Sequence, residues 1–413
     1  MDKKLSAVIA LGGKGTRLKS ITGDIPKPLF PVSNISTLKR ICIELKKYNI
    51  NKIIFTLGYS YESFENEIKN ISINLNIEII TYIEEKPLGE CGALWEIRNL
   101  LSDNILFLLG DIIFSVDFDR AFDFHKRMDS DFTLITHTSS HPEDSDLISA
   151  PNGCLIEDIF LKNNKNSESS KAYLGNSGIC IFSKKLLEII KKPKENQNPS
   201  IFNYLVFKAK QMSIKIYSYN TSEYIKDMGT EARYKKVQED LSSGILELNC
   251  YKKNQKALFL DRDNTLIECN KGNYILDPED IQFLDNNIKK IALISKSFNL
   301  VCLVTNQPQI SMGKLSIKML EKINSKVIKH CISFGLKIDV VSFCPHHPDS
   351  GFDKEINSLK YDCFCRKPNP GMLFHQSFLR NINLQQSLLI GDSLNDELAA
   401  KNANCKFLNV SDL

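Results

Sequence analysis

Twice in this chain a short apolar run passes straight into a turn loaded with chemically active residues. Each run is of the kind that forms a strand buried on both faces, and each time a strand–helix alternation follows. The first run, residues 6–11, opens onto Gly12-Gly13-Lys14-Gly15-Thr16-Arg17-Leu18; the second, residues 256–260, opens onto Asp261-Arg262-Asp263-Asn264-Thr265. Strands that alternate with helices pair in parallel and need cover on both sheet faces. The expected fold class is therefore α/β, with two doubly wound (Rossmann-like) units at 1–241 and 256–413 and a polar linker at 242–255. At about 150 residues per domain, 413 residues suit that division.

In the first unit, further strands are expected at 52–57, 77–83 and 104–109, with helices at 38–48, 61–71 and 92–101. In the second, strands are expected at 300–304, 340–343 and 387–390, with helices at 286–296, 317–331 and 372–381. Residues 162–171 and 191–200 read as loops.

Charge excludes one class of partner. With 53 basic and 49 acidic residues the net charge is +4, too balanced for a nucleic-acid binder. No apolar run approaches the ~18 residues of a membrane span. The first apolar stretch meets Gly12-Gly13 too soon for a signal peptide, so a cytoplasmic protein without membrane or nucleic-acid partners is expected. Of the 12 cysteines, most stand singly among apolar residues (Cys42, Cys180, Cys302, Cys331), which reads as reduced, buried thiols.

At the first turn, glycines let backbone N–H groups approach an anion closely, and Arg17 adds a bidentate phosphate donor. Lys27 is held between Pro26 and Pro28. Alone, such a turn is readily a plain tight turn; it has neither Rossmann nor P-loop spacing. Leu109-Gly110-Asp111 places a carboxylate past a strand's C-terminal end, where ligands of open α/β sheets bind, and Asp227-Met228-Gly229-Thr230 offers a second.

Together, G-G-x-G-T-R-L, P-K-P-L-x-P-V, the strand-end Gly-Asp and the late D-x-G-T resemble the sugar-1-phosphate nucleotidyltransferase family over residues 5–235. The resemblance implies attack of a sugar 1-phosphate on the α-phosphorus of an NTP. The nucleophile is already an anion, so positioning and charge neutralisation carry the rate. It implies Mg²⁺ on Asp111 and Asp227, with Arg17 and Lys27 on the phosphates. Gly12, Gly13, Gly15 and Thr16 would cradle the phosphates. Leu88-Gly89 would take the base, and Gly175-Asn176 the sugar. Glu90-Cys91, where a small pair is usual, and Leu161 before Lys162 depart from the family.

At the second turn, Asp261 and Asp263 point the same way as they leave a strand. Thr305-Asn306, Arg366-Lys367 and Gly391-Asp392-Ser393-Leu394-Asn395-Asp396 follow at element ends, an order that resembles the haloacid-dehalogenase-like phosphatases. The resemblance implies Asp261 as nucleophile and Asp263 as general acid and base. It implies Mg²⁺ on Asp261, Asp392 and the Asp263 carbonyl, with Lys367 as the neutralising cation. Thr305 and Asn306 would meet the phosphoryl oxygens and Arg366 the substrate body.

The spacing C-x-H followed by C-x-C, Cys344, His346, Cys363 and Cys365, supplies a closed tetrahedral Zn²⁺ set, with His347 as the alternate. With F-L-D-R-D, T-N-Q and C-R-K-P-x-P-G-M-L, this resembles heptose 1,7-bisphosphate 7-phosphatases and, less closely, histidinol phosphatases. Asn264, Pro308, Gln309, Met312 and Ser393 depart from that pattern.

The fusion resembles enzymes that pair a heptose 1,7-bisphosphate phosphatase with a heptose 1-phosphate guanylyltransferase. That implies heptose 1,7-bisphosphate, heptose 1-phosphate and GTP as ligands, the α-anomer, and GDP-heptose as product. Another sugar for both activities, or one inert regulatory unit, are the rival readings. A homo-oligomer is compatible with the sequence.

Overall fold

A computed structural model describes residues 5–13, 18–58, 60–139, 145–151, 154–162, 172–194, 197, 199–269 and 274–413. Gly15, Thr16 and Arg17 lie outside the described residues, as does nearly all of the 162–171 loop.

The first sheet has nine strands. Its parallel heart is β1 (Leu5–Ala10), β2 (Lys52–Leu57), β3 (Glu78–Ile83) and β4 (Asn104–Leu109), in the spatial order β4-β1-β2-β3. Side chains alternate through it. Ala7 and Ile9 face one core with α1 (Thr37–Lys47) and α2 (Glu65–Leu75), and Val8 faces another with α3 (Gly89–Glu96). Each fully buried aliphatic or Phe side chain contributes about 1.5–3 kcal/mol, and β1, buried on both faces, is the centre of that gain. Ser36 caps α1 by accepting from the Lys39 N–H (3.1 Å).

The helix expected at 92–101 starts earlier, at Gly89, and ends at Glu96 before a 3₁₀ turn, Arg98–Leu100. The helix expected at 61–71 opens as a 3₁₀ turn, Tyr61–Phe64, before α2.

Beyond β4 the sheet is not parallel, against expectation. The chain forms β5 (Ile112–Ser115), α4 (Phe118–Arg127), β6 (Phe132–Thr138), β7 (Leu147–Ser149), β8 (Asp158–Phe160), β9 (Leu174–Ser183), β10 (Ile216–Asn220) and β11 (Tyr224–Asp227). Strand β9 runs antiparallel to β4 (Ile179↔Leu108) and pairs with β6 and β7, while β10 is parallel to β6. Strands β5 and β11 form a separate ribbon, and α5 (Glu231–Ser242) follows it. An antiparallel β9 needs no crossover helix, so alternation could not announce it.

The second sheet is fully parallel, as expected. It is built from β12 (Ala257–Leu260), β13 (Leu300–Asn306), β14 (Val340–Cys344), β15 (Leu388–Gly391) and β16 (Lys406–Asn409), ordered β14-β13-β12-β15-β16. Helices α6 (Asp285–Ser295), α7 (Ile317–Ser333), α8 (Gly371–Arg380) and α9 (Leu394–Asn402) cover its two faces.

Residues 242–255 are packed. Tyr251 is fully buried, and the Gln255 amide donates to the carbonyls of Leu248, Cys250 and Lys253 at 2.9–3.1 Å. The buried Glu223 carboxylate accepts from the N–H groups of Asp117 (2.8 Å) and Tyr251 (2.9 Å), and burial pushes it up to about 7. The two sheets meet through directional bonds. Arg120 donates to the Phe378 and Leu379 carbonyls, Arg380 to the Asn220 carbonyl, and Asn381 to the Tyr251 carbonyl.

Gly110, at the end of β4, is a close-approach glycine. A Cβ there would stand 2.4 Å from Leu11 Cδ2 and 2.9 Å from the Ala10 carbonyl oxygen. Leu11 can rotate away but the Ala10 carbonyl cannot. Gly110→Ala is therefore expected to destabilise the fold by about 1–3 kcal/mol, read by thermal melting against wild type.

Candidate active sites

Parallel strands end together, so the turns after them converge. At the first sheet's C-terminal edge, β1 delivers Gly12 and Gly13, β4 delivers Gly110-Asp111, and antiparallel β9 begins with Gly175 and Asn176 on the same edge. Lys27 sits on a one-turn 3₁₀ helix, Lys27–Leu29, and is buried, with its ammonium 3.7 Å from Asp111 Oδ2. Asp227 ends β11 opposite Ile112, and the Met228 N–H donates to the Asp111 carbonyl (3.2 Å). The two carboxylates thus lie on neighbouring strand ends. Asp227 is held by Arg233 Nη1 (2.9 and 3.0 Å) and the Gly229 N–H (2.7 Å). Two oxygen donors flanked by Lys27 and Arg233 suit a divalent cation carrying phosphates.

Glu84 was missed by sequence reasoning. Its carboxylate lies beside Gly12 and accepts from the Leu88 N–H (3.0 Å), which ties the glycine-rich turn to the Leu88-Gly89 turn. The only local signal was its place four residues before Leu88 in Glu84-Glu85-Lys86-Pro87. Glu90, one of the departures, has a structural task. Its buried carboxylate accepts from the Ile201 N–H (2.9 Å), and burial pushes it up to about 7. Asn176 donates its N–H to the Asp146 carbonyl (3.1 Å), and its side-chain oxygen accepts from Gly178. Lys162, after Leu161, donates its N–H to the Asp146 carboxylate (2.8 Å).

At the second site, Asp261 leaves β12 and Lys367 reaches it from the segment before α8. The Lys367 ammonium is 3% exposed and lies 2.6 Å from Asp261 Oδ1, 2.5 Å from Asp396 Oδ1 and 2.9 Å from the Val304 carbonyl. Burial works against its charge, but the two carboxylates more than offset that and hold it above its ordinary value. Burial likewise pushes Asp261 upward, with Lys367 pulling against it.

Asp396 is the residue that sequence reasoning left outside the site. It stands in the Gly391–Asp396 motif, where the resemblance assigns it no role. It is the N3 residue of α9, in a capping box with Ser393. Its carboxylate lies against Gly391, where a Cβ would meet it at 2.6 Å. Oxygens of Asp261, Asp392 and Asp396 lie within 4.8 Å of one another, a set of hard donors that fits Mg²⁺.

Asp263 is held by a network of its own beside Asp261. Arg262, 1% exposed, grips its carboxylate through Nε (2.9 Å) and Nη2 (3.1 Å), and Gln307 Nε2 adds a third bond (3.1 Å). The Thr305 hydroxyl accepts from Gln307 (2.8 Å). The Asn306 amide exchanges two hydrogen bonds with the Lys367 backbone (2.9 and 3.0 Å), so it positions the lysine. Asn264 adopts φ 56°, which explains why Asn can replace the usual Gly there. Its side chain bonds to Asp392, which burial raises above its ordinary value. Met312 and Gln309 are buried, and Arg366 donates to the His346 carbonyl (3.2 Å).

The cysteine quartet assembles. Cys344, His346, Cys363 and Cys365 have ligand atoms within 4.8 Å of one another, with S···S separations of 3.2–3.4 Å and His346 Nδ1 at 3.2 Å from Cys365. His347 stays outside, accepting from the Asp349 N–H. The Tyr361 hydroxyl meets His346 Nε2 (2.8 Å) and leaves Nδ1 for the cluster. Cys365 is drawn down to about 5, chiefly by hydrogen bonding from Cys344. A pre-assembled thiol–imidazole tetrad of this composition fits Zn²⁺.

The nucleotidyl transferase family model matches residues 6–244, and the polynucleotide kinase 3 phosphatase model matches residues 256–412. A D-glycero-alpha-D-manno-heptose 1-phosphate guanylyltransferase of Aneurinibacillus thermoaerophilus is 28% identical over 246 residues, 58% of this chain and 100% of that protein. A D-glycero-beta-D-manno-heptose-1,7-bisphosphate 7-phosphatase of Vibrio cholerae is 34% identical over 147 residues, 36% of this chain and 76% of that protein. A Bacillus anthracis structure described as a glucose-1-phosphate thymidylyltransferase superposes with a TM-score of 0.50 at 20% identity. It covers 57% of this chain and 94% of its own, and at that identity the likeness shows the fold alone. Among the described residues, no helix is long and apolar enough to cross a membrane.

Removing Lys367 would leave Asp261 and Asp396 buried without a counter-charge. Lys367→Met is expected to cost about 3–5 kcal/mol, measured by denaturant unfolding. Chelation is the second test: a chelator is expected to lower the melting temperature, and addition of Zn²⁺ to restore it.

Proposed function

Because the chain belongs to the nucleotidyl transferase family through residues 6–244 and carries a haloacid-dehalogenase-like phosphatase unit behind it, we propose that it makes GDP-heptose in two consecutive steps. The phosphatase unit removes the 7-phosphate of D-glycero-α-D-manno-heptose 1,7-bisphosphate. The transferase unit then joins GMP from GTP to the heptose 1-phosphate and releases pyrophosphate. The observation that carries this is the presence in one chain of two charge-matched catalytic sets, Lys27 with Asp111 and Lys367 with Asp261 and Asp396. The relatives supply the sugar: one is named for a heptose 1-phosphate and the other for a heptose 1,7-bisphosphate, which becomes a heptose 1-phosphate when its 7-phosphate is removed. The second unit's relative is named for the β-anomer and the first unit's for the α-anomer. Neither step breaks a bond at C1, so the bisphosphate must already carry the anomer that the transferase accepts.

In the phosphatase unit, an Asp261 oxygen attacks phosphorus and the bond to O7 breaks. Asp263, oriented by Arg262 and Gln307, gives its proton to O7. Water then attacks the aspartyl phosphate while Asp263 takes its proton, and phosphate leaves. Lys367 offsets the approach of the phosphate to Asp261. Asp261, Asp392 and the Asp263 carbonyl, beside Asp396, would hold Mg²⁺, which would supply charge neutralisation on the phosphoryl oxygens.

In the transferase unit, Lys27 and Arg17 hold phosphates and Gly12, Gly13, Gly15 and Thr16 cradle them. Leu88-Gly89 receives the base, Gly175-Asn176 the sugar, and Asp111 with Asp227 a second Mg²⁺. Cys344, His346, Cys363 and Cys365 would hold Zn²⁺, which would stiffen the loop carrying Arg366 and Lys367. Residues 1–241 and 256–413 are the two units, joined by 242–255. The enzyme works in the cytoplasm.

The test is a product assay with Mg²⁺, both anomers of the bisphosphate and each of the four NTPs, read by mass spectrometry. GDP-heptose from the α-anomer is expected. Asp261→Asn should lower phosphate release more than about 10³-fold and spare transfer from heptose 1-phosphate. Asp111→Asn should do the reverse. Phosphate release with no nucleotide sugar from any NTP would overturn the transferase reading.

A further inference from the structure

The phosphatase unit contributes a buried carboxylate to the transferase unit. Glu321 lies on α7, in the first turns of a helix that belongs to the second sheet, yet both its side-chain oxygens are spent on the first. Oε2 accepts from the Ser149 hydroxyl (2.6 Å) and Oε1 from the Ala150 N–H (2.9 Å). Ser149 is the last residue of β7 and Ala150 follows it. A charged residue is seldom buried without a partner, and here the partners are both across the boundary between units.

Strand β7 is what seats the sugar turn. Leu147 pairs with Gly175, and the Asp146 carbonyl accepts from the Asn176 N–H (3.1 Å). The other flank is held in the same way. Gly175 also pairs with His137 of β6. The next residue, Thr138, donates its hydroxyl to the Asp339 carbonyl (3.3 Å), as does the Asn220 amide at the end of β10 (3.2 Å). Asp339 belongs to the second unit, where its carboxylate accepts from the Val301 N–H (2.9 Å) and from Lys337 (2.7 Å). Both strands that bracket Gly175-Asn176 are thus anchored to groups of the phosphatase unit. Strand β7 has only three residues and few ladder bonds to β8 and β9, so the two bonds from Glu321 are a large share of what holds it.

We propose that Glu321 is a positioning residue for the sugar-phosphate site of the transferase, acting through β7. This rests on the reading of Gly175-Asn176 as the sugar turn. The tie supplies geometry only, and misplacing a positioning strand by a fraction of an ångström is expected to weaken sugar-phosphate binding before it touches the nucleotide.

The test uses the full chain and three variants. Glu321→Ala removes both bonds. Glu321→Gln keeps both, since its carbonyl oxygen can accept from Ala150 and its NH₂ can donate to the Ser149 hydroxyl. Asn176→Ala tests the turn itself. Amide hydrogen exchange is read first, because it needs no substrate. Glu321→Ala is expected to speed exchange at residues 147–150 and 174–176 and to leave 104–109 unchanged. Kinetically, it is expected to raise KM for heptose 1-phosphate about 10- to 100-fold, with KM for GTP and the phosphatase kcat unchanged, and Glu321→Gln is expected to restore it.

Unchanged exchange in Glu321→Ala overturns the proposal whatever the substrate proves to be. So does a general loss, in which the melting temperature and phosphatase kcat fall together and KM for GTP rises with that for the sugar. Faster exchange with an unmoved sugar KM in both Glu321→Ala and Asn176→Ala overturns the reading of the turn, and the inference with it. Absence of any transfer by wild type, by contrast, strikes the function proposed above and leaves the exchange result to judge the tie.

Discussion

One buried ammonium sets the terms for the second half of the molecule. Lys367 lies between Asp261 and Asp396 with almost no solvent contact, and such a group keeps its charge only where carboxylates match it. Much of the neighbouring structure serves that match. Asn306 fixes the Lys367 backbone from β13, the Val304 carbonyl takes a third ammonium proton, and Ser393 locks Asp396 by a capping box. Gly391 leaves the space that Asp396 fills. Upstream of Lys367, the Cys344–His346–Cys363–Cys365 quartet ties β14 to the segment that bears it. A cation set this firmly among acids can receive a phosphate without first being reorganised, which is the condition for electrostatic catalysis.

Arg262 plays the complementary part. It is buried and spans Asp263, Gln307 and Asn324, so the carboxylate proposed as acid and base is oriented by a network and not left to rotate. Asn324 sits on α7, one turn beyond Glu321. The same helix therefore braces the aspartate turn of one unit with one side chain and a strand of the other unit with the next. Two catalytic units that share a rigid helix gain mutual support without sharing a cavity.

How much of this was legible depended on distance along the chain. Strand-to-turn junctions at Gly12, Asp111, Asp261 and Asp392 could be read because hydrophobic runs and polar turns are adjacent in sequence. The zinc-type quartet could be read because ligand spacing is short at each end. Asp396 was missed because its meaning lies in a helix cap folded back on Gly391, a contact that no periodicity announces. The antiparallel β9 was missed because its partners lie more than 25 residues away, and the tie from Glu321 to Ser149 spans 172. Glu90 and Asn264 looked like departures from a pattern. Each proved to answer a local need, one a backbone N–H, the other a left-handed turn beside Asp392.

The ends of the second sheet decide how the two sites can communicate. Asp261, Asn306 and Asp392 lie at the C-terminal edge; the contacts to the first unit at Asp339 and Arg380 precede β14 and β15 at the opposite edge, while the Glu321 contact stands one helical turn from Asn324, which bonds Arg262 of the aspartate turn. From Val301, which bonds Asp339, to Asn306 is five residues, roughly 17 Å at the rise of a strand. The boundary with the first unit therefore runs along the second sheet from Asp339 at one edge to Glu321 near the other. What the fusion provides is equal numbers of the two sites and a firm seat for β6 and β7.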